Sequence, residues 1–112
     1  MSRNDVYRAE GRERIFQIAL EAGESFTASA TDYHTFTLRL VRDGQDYGED
    51  IADPYSLSDR SLVANEPVTL YDDPVGLAMS DGERIALYVD KTGSPASLER
   101  VTLWLNRQRN AR

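Results

Sequence analysis

Cysteine is absent from the 112 residues, which excludes disulfides and thiolate metal sites and leaves stability to packing or association. Lysine is nearly absent as well. The only one, Lys91 in the turn "DKTG", lacks the apolar setting that Schiff-base chemistry needs. The single histidine, His34 in "TDYHTFT", has only Asp32 as a nearby acid, and no nucleophile-elbow pattern accompanies it. A surface or strand-edge histidine is therefore expected. No Gly-rich phosphate loop and no metal triad occur, so an enzyme is not expected, and neither is a cofactor. Apolar runs are only a few residues long, and "MSRNDVYRAEGRER" lacks the apolar segment of a secretory signal. This predicts a soluble chain made in the cytoplasm, with no membrane partner.

What is present is an uneven distribution of charge. Residues 15–106 carry 16 Asp/Glu against 6 Lys/Arg, whereas residues 1–14 carry four Arg against three acids and residues 107–112 carry three Arg. With a formal net charge of -6, the body would be repelled by phosphates, which argues against nucleic acid as the partner. Of the 13 basic residues 12 are Arg, a side chain suited to planar, bidentate contacts with carboxylates. The codon bias of a high-GC genome would produce the same excess.

The dominant hydrophobic period is two. Phe16, Ile18 and Leu20 alternate with Ile15, Gln17 and Ala19. Phe26, Ala28 and Ala30 alternate with Ser25, Thr27 and Ser29, and Phe36, Leu38 and Leu40 with Thr35, Thr37 and Arg39. Further runs follow at Val68 and Leu70, then, after the breaker "DDP", at Val75, Leu77 and Met79. The last two are Ile85, Leu87, Val89 and Val101, Leu103, Leu105. "EAGE", "RDGQDYGED", "SDGER" and "DKTGSPAS" supply the turns. Residues 44–66 are polar and turn-rich, with Leu57, Leu62 and Val63 available for one doubtful strand, and are expected to cross between sheets. Seven strands and this doubtful eighth predict an all-β fold, an antiparallel β-sandwich of jelly-roll or immunoglobulin-like type. Residues 1–13 are read as an extended N-terminal arm, 14–106 as the sandwich domain and 107–112 as a basic C-terminal tail.

Several acidic clusters invite a metal or catalytic reading. Asp43, Asp46, Glu49, Asp50 and Asp53 could hold calcium, but Gln45 stands at the third position of an EF-hand spacing and no Glu at the twelfth. A solvated loop protecting a sheet edge fits as well. Asp72 and Asp73, before Pro74, are ordinary turn acids, and no metal is expected. Surface contacts offer more. If the aliphatic face of the last strand is core, Trp104 points away from it, as Tyr88 does on its own strand, unless both faces are buried with the arm folded over one of them. Large aromatics on a polar surface concentrate binding energy. The candidate partner-binding residues are thus Tyr88 and Trp104, with Arg3, Tyr7, Arg8 and Arg12 from the arm and Arg107, Arg109 and Arg112 from the tail. Removing residues 1–12 is expected to end binding and leave the fold intact.

The arm "MSRNDVYRAEGRER", the strand series from Arg14 to Asn106 and the tail "RQRNAR" together make a small, cysteine-free, acidic β-sandwich with extended ends. In that respect the chain resembles the capsid cement or decoration proteins of tailed bacteriophages. The resemblance lies in type rather than in a motif. It implies a non-enzymatic structural protein of the virion surface that binds the major capsid protein at capsomer junctions, its arms laid across neighbours. Two alternatives follow from the same residues. One is a tail, baseplate or fibre module, which would form a homo-oligomer. The other is a ligand- or sugar-binding module using residues 44–66 with Tyr47 and Tyr55.

Overall fold

Period-two alternation yields strands and no helix among the described residues of the computed structural model, which are 2–42, 48–98 and 100–109. The strands are β1 (Ser2–Arg8), β2 (Glu13–Glu21), β3 (Tyr33–Val41), β4 (Glu49–Asp50), β5 (Tyr55–Ser56), β6 (Val68–Met79), β7 (Arg84–Thr92) and β8 (Thr102–Arg109). They form two sheets with antiparallel pairing throughout. One runs β1-β7-β3-β4, with β5 also paired to β3, and the other runs β6-β2-β8. The expected antiparallel β-sandwich is what the chain forms.

The larger sheet has β3 and β7 as its spine, paired without a break from Tyr33↔Thr92 to Val41↔Arg84. That register places Phe36, Leu38 and Leu40 on the same face as Val89, Leu87 and Ile85. From the smaller sheet, Ile15, Ile18 and Leu20 close the core against them. All three are fully buried, and burying side chains of this size stabilises by about 1.5–3 kcal/mol each.

Register shifts alter the simple alternation. In β2 the pairing passes from Ile15↔Arg107 to Gln17↔Asn106, so Phe16 is the extra residue. Inward parity therefore switches. Glu13 and Ile15 face the core before the bulge and Ile18 and Leu20 after it, whereas strict alternation had grouped Phe16 with Ile18. On the other flank, β2 passes from Leu77 to Asp72 of β6, extruding residues 73–76. The two expected runs at 68–71 and 75–79 are thus one strand with a protrusion, and Val75, expected inside, is 72% exposed. Gly76 makes the protrusion possible. Its φ is +89°, and a Cβ there would meet the Phe16 ring at 2.9 Å.

Other expectations need correction. The arm is a strand: β1 pairs with β7 from Ser2↔Val89 to Arg8↔Arg84. The edge of β7 offers unpaired backbone groups, and satisfying them outweighs the freedom of a loose terminus. The tail is likewise partly strand, because β8 runs on to Arg109. Residues 25–30 do not form the expected strand. Phe26 makes a single bridge to Leu62, while Ser29 Oγ accepts N–H bonds from Thr31 and Asp32 and Ser25 Oγ accepts one from Ala64. Local hydroxyl bonding of this kind competes with a sheet ladder. Within 44–66, β4 and β5 stay on β3, Leu57 and Leu62 are core, and the crossing to the smaller sheet follows β5.

Two outcomes follow. Deleting residues 1–12 would strip β1 from β7 and lower thermal stability markedly; an unchanged melting temperature would return these residues to the status of an arm. Gly76→Ala combines a positive φ with an aromatic clash and should cost about 1–3 kcal/mol in a urea titration, against little change for Gly11→Ala's surroundings, where a Cβ meets nothing within 4 Å and only the φ strain remains.

Candidate binding surface

The bulge at Phe16 and a further one in β1 converge on one carboxylate. In β1, Arg3 and Asp5 face outward with Tyr88 and Ala86, and Asn4 faces inward with Leu87. The shift between Asp5 and Tyr7 then lets Tyr7 pair with Ile85 on the inner side. Tyr7 meets Glu13, which the Phe16 bulge has turned inward on β2. Arg107 continues the inward row Leu103, Leu105 of β8 and reaches the same group. The Tyr7 hydroxyl donates to the Glu13 carboxylate, 2.5 and 2.6 Å from its two oxygens, and Arg107 Nη1 donates to Oε1 at 2.5 Å. The Glu10 N–H donates to Oε2 at 3.3 Å, and the Arg107 guanidinium lies 5.5 Å from the centroid of the Tyr7 ring.

The Glu13 side chain is 0% exposed. Burial alone would raise its pKa, but the bonds from Tyr7, Arg107 and the Glu10 N–H, with the Arg107 charge, outweigh that and hold it below the ordinary carboxylate value. Tyr7 is pushed up, first by burial and then by the Glu13 carboxylate. Tyr7 and Arg107, expected to reach toward a partner, are thus joined to each other and to Glu13, with the Arg107 side chain still 39% exposed. Period-two reading groups Glu13 with Ile15, Gln17 and Ala19 on the outer face, and only the extra residue at Phe16 turns it inward.

The outer face of the larger sheet is closed by its own polar side chains. Tyr88 lies on that face, as alternation required, but it is only 5% exposed and so is not the bare anchor expected. Guanidinium groups of Arg39 and Arg3 stand 4.5 and 5.9 Å from its ring centroid. Arg39 is held by Asp50 at 2.7 Å, and Asp5 accepts from Arg3 at 2.9 Å and from Arg84 at 3.3 Å. Arg3 therefore also works within the fold.

The outer face of the smaller sheet has no such cover. Trp104 is 56% exposed there, and its cross-strand neighbour on β2 is Ala19, which in turn pairs with Thr69 on β6. Because Ala19 is small, the row Trp104, Ala19, Thr69 is low in the middle, and an open groove of about 420 Å³ lies over it. Gln17, Asn106, Pro67 and Glu21 border the groove. In a chain with 29% charged residues, this patch is neutral apart from Glu21. Depletion of charge around an aromatic anchor is the composition of an interface centre.

The remaining candidates are dispersed. Arg8 and Arg12 are exposed and form no ion pair among the described residues. Of Arg109 only the backbone, opposite Glu13, is described, and Arg112, Asp43, Asp46 and Tyr47 lie outside the described residues. Tyr55 is half-buried beneath Arg60, 4.8 Å from its ring centroid. Asp73 accepts from the Tyr71 hydroxyl and the Val75 N–H, shaping the protrusion. Among the described residues no three His, Asp or Glu gather as metal ligands. His34, expected at the surface, is buried between Phe26 and Phe36, and its Nε2–H donates to the Ala96 carbonyl at 2.8 Å. Its parity with Phe36 and Leu38 dictates that position.

Glu13 also gives the fold an acid dependence. Its folded-state pKa lies below its unfolded value, so its contribution is complete above the ordinary carboxylate range and is lost as pH falls through the folded-state value. Glu13→Gln should lose roughly 1–3 kcal/mol at pH 7. In urea titrations the gap between wild type and variant should narrow as pH falls below about 4.5; a gap independent of pH would deny the carboxylate this role. Compared with known proteins, the chain matches no family model, no curated protein and no solved structure.

Proposed function

We propose that this protein is a non-enzymatic structural part that fastens onto a larger protein assembly, in the manner of the capsid cement proteins its sequence resembles. The observation that carries the reading is Trp104, a large aromatic more than half exposed in a groove whose one charged lining residue is Glu21. A free Trp on a soluble domain is a standing source of binding energy, because covering its ring removes apolar surface from water. The contrast between the two outer faces supports the same side. One is closed by Arg39, Tyr88 and Arg3, and the other leaves its aromatic bare.

In this reading the sandwich is a rigid body and the Trp104 face is the dry centre of the contact. The arginine tethers are reduced to those that the fold does not consume, Arg8 and Arg12, which would make charge-assisted bonds to acidic groups of the shell at the rim. A ligand that binds only the assembled state stabilises that state by mass action, so a cement role needs no chemistry beyond the contact. Virion location and the major capsid protein as partner belong to the same proposal.

The test is co-sedimentation with large particles from the protein's natural source. Wild-type protein should pellet with them, and Trp104→Ala should weaken binding by at least about tenfold, or about 1.4 kcal/mol, while melting within a few degrees of wild type. Equal pelleting of the variant would remove Trp104 from the contact. Failure of the wild type to pellet with any particle would remove the cement reading itself.

A further inference from the structure

Exposed strand edges invite pairing, and proteins blunt them with short strands, bulges, charges or proline. Three of the four sheet edges here are blunted. β4 and β5 have two residues each, and β1 carries its bulge together with Arg3, Asp5 and Arg8. β6 carries Asp72, Asp73, Pro74 and the protrusion at 73–76. β8 has none of these devices over residues 102–106. "TLWLN" is neutral and lacks proline, and its pairing with β2 is unshifted from Glu21↔Thr102 to Gln17↔Asn106. The smaller sheet is also narrower than the larger one. Beside β8 it leaves an apolar cleft of about 630 Å³, bordered by Val6, Leu87, Leu98 and Leu103.

The same five residues read alike in both directions: polar, Leu, Trp, Leu, polar. We propose that β8 pairs antiparallel with β8 of a second copy of this chain, about a two-fold axis through Trp104. Leu103 then faces Leu105 of the second copy, Thr102 faces its Asn106, and the two Trp104 residues face each other. Each residue stays on its present side of the sheet. The leucines enter over the clefts, and the two tryptophans share the outer face of one six-stranded sheet. Arg107 falls opposite Val101, so no like charges meet. A contact of this kind, in which one patch serves both partners, is what a two-fold dimer requires.

The size of the contact sets its strength. The seven residues 101–107 that pair extend about 24 Å, and a two-sheet sandwich with its outer side chains is about 20 Å deep. That gives about 480 Å² per copy and about 950 Å² in total, the size of a weak, transient interface. The dimer is accordingly reversible, dissociating in the micromolar range. It stands independently of the shell-binding proposal, and it would present paired Trp104 rings to any docking partner.

Sedimentation velocity over about 1 to 500 μM should show a monomer passing to a dimer as concentration rises. Thr102 and Asn106 are outward and exposed, so substitutions there leave the core alone. Thr102→Lys with Asn106→Lys places two like-charged pairs across the axis and should weaken the dimer about tenfold or more. Thr102→Lys with Asn106→Glu turns both into opposite-charge pairs and should restore it, with both variants melting like wild type. A wild type that stays monomeric throughout, a dimer indifferent to the paired lysines, or a Lys/Glu variant no stronger than the Lys/Lys variant would each overturn the proposal.

Discussion

A buried carboxylate is an expensive group to bring out of water, and this fold arranges three strands around one. Glu13 on β2 is met by Tyr7 from β1 and Arg107 from β8, strands near the two ends of the chain and at the edges of different sheets. Removing either partner would leave a buried charge incompletely satisfied, so the three groups hold one another in place. The open side of the sandwich is closed at that point. Further along the same side lies the apolar cleft bordered by Val6 of β1 and Leu103 of β8.

The clasp exists because of two single-residue bulges. Val6 in β1 and Phe16 in β2 each shift the inward parity of their strand by one, and without those shifts Tyr7 and Glu13 would point to solvent. Gly76 belongs to the same arrangement, since its missing side chain makes room for the Phe16 ring. The polar ribbon over Tyr88 plays the matching part on the outer face of the larger sheet. It consumes Arg3, Arg39 and Arg84. With these contacts made internally, the Trp104 face and the edge of β8 are left uncovered among the described residues.

The sandwich and its spine were legible in the sequence, because β3 and β7 alternate without interruption and any shift would have exposed Leu38 or Leu87. Trp104 was legible for the same reason: its neighbours Leu103 and Leu105 had to face the core. The N-terminal strand was not. "SRNDVYR" carries little apolar surface, and its strand state comes from the unpaired edge of β7, a long-range partner that no local pattern announces. The contacts of Arg107 and Tyr7 with Glu13 were not legible either, because they depend on the parity shifts at Val6 and Phe16, and a one-residue insertion leaves no trace in a count of alternating residues. Residues 25–30 failed for the opposite reason. Their alternation was genuine, but the serine hydroxyls bind nearby backbone more readily than a ladder can form.

If the clasp governs the fold, both ends of the chain are fixtures rather than arms, and amide hydrogen exchange reads this directly. In wild-type protein the β1 amides bonded to β7 should exchange nearly as slowly as the β3–β7 spine, opening only with global unfolding. In Glu13→Gln the β1 and β8 amides near the clasp should lose that protection while β3 and β7 keep theirs. Fast exchange along β1 in the wild type, at the rate of an unpaired terminus, would contradict the account.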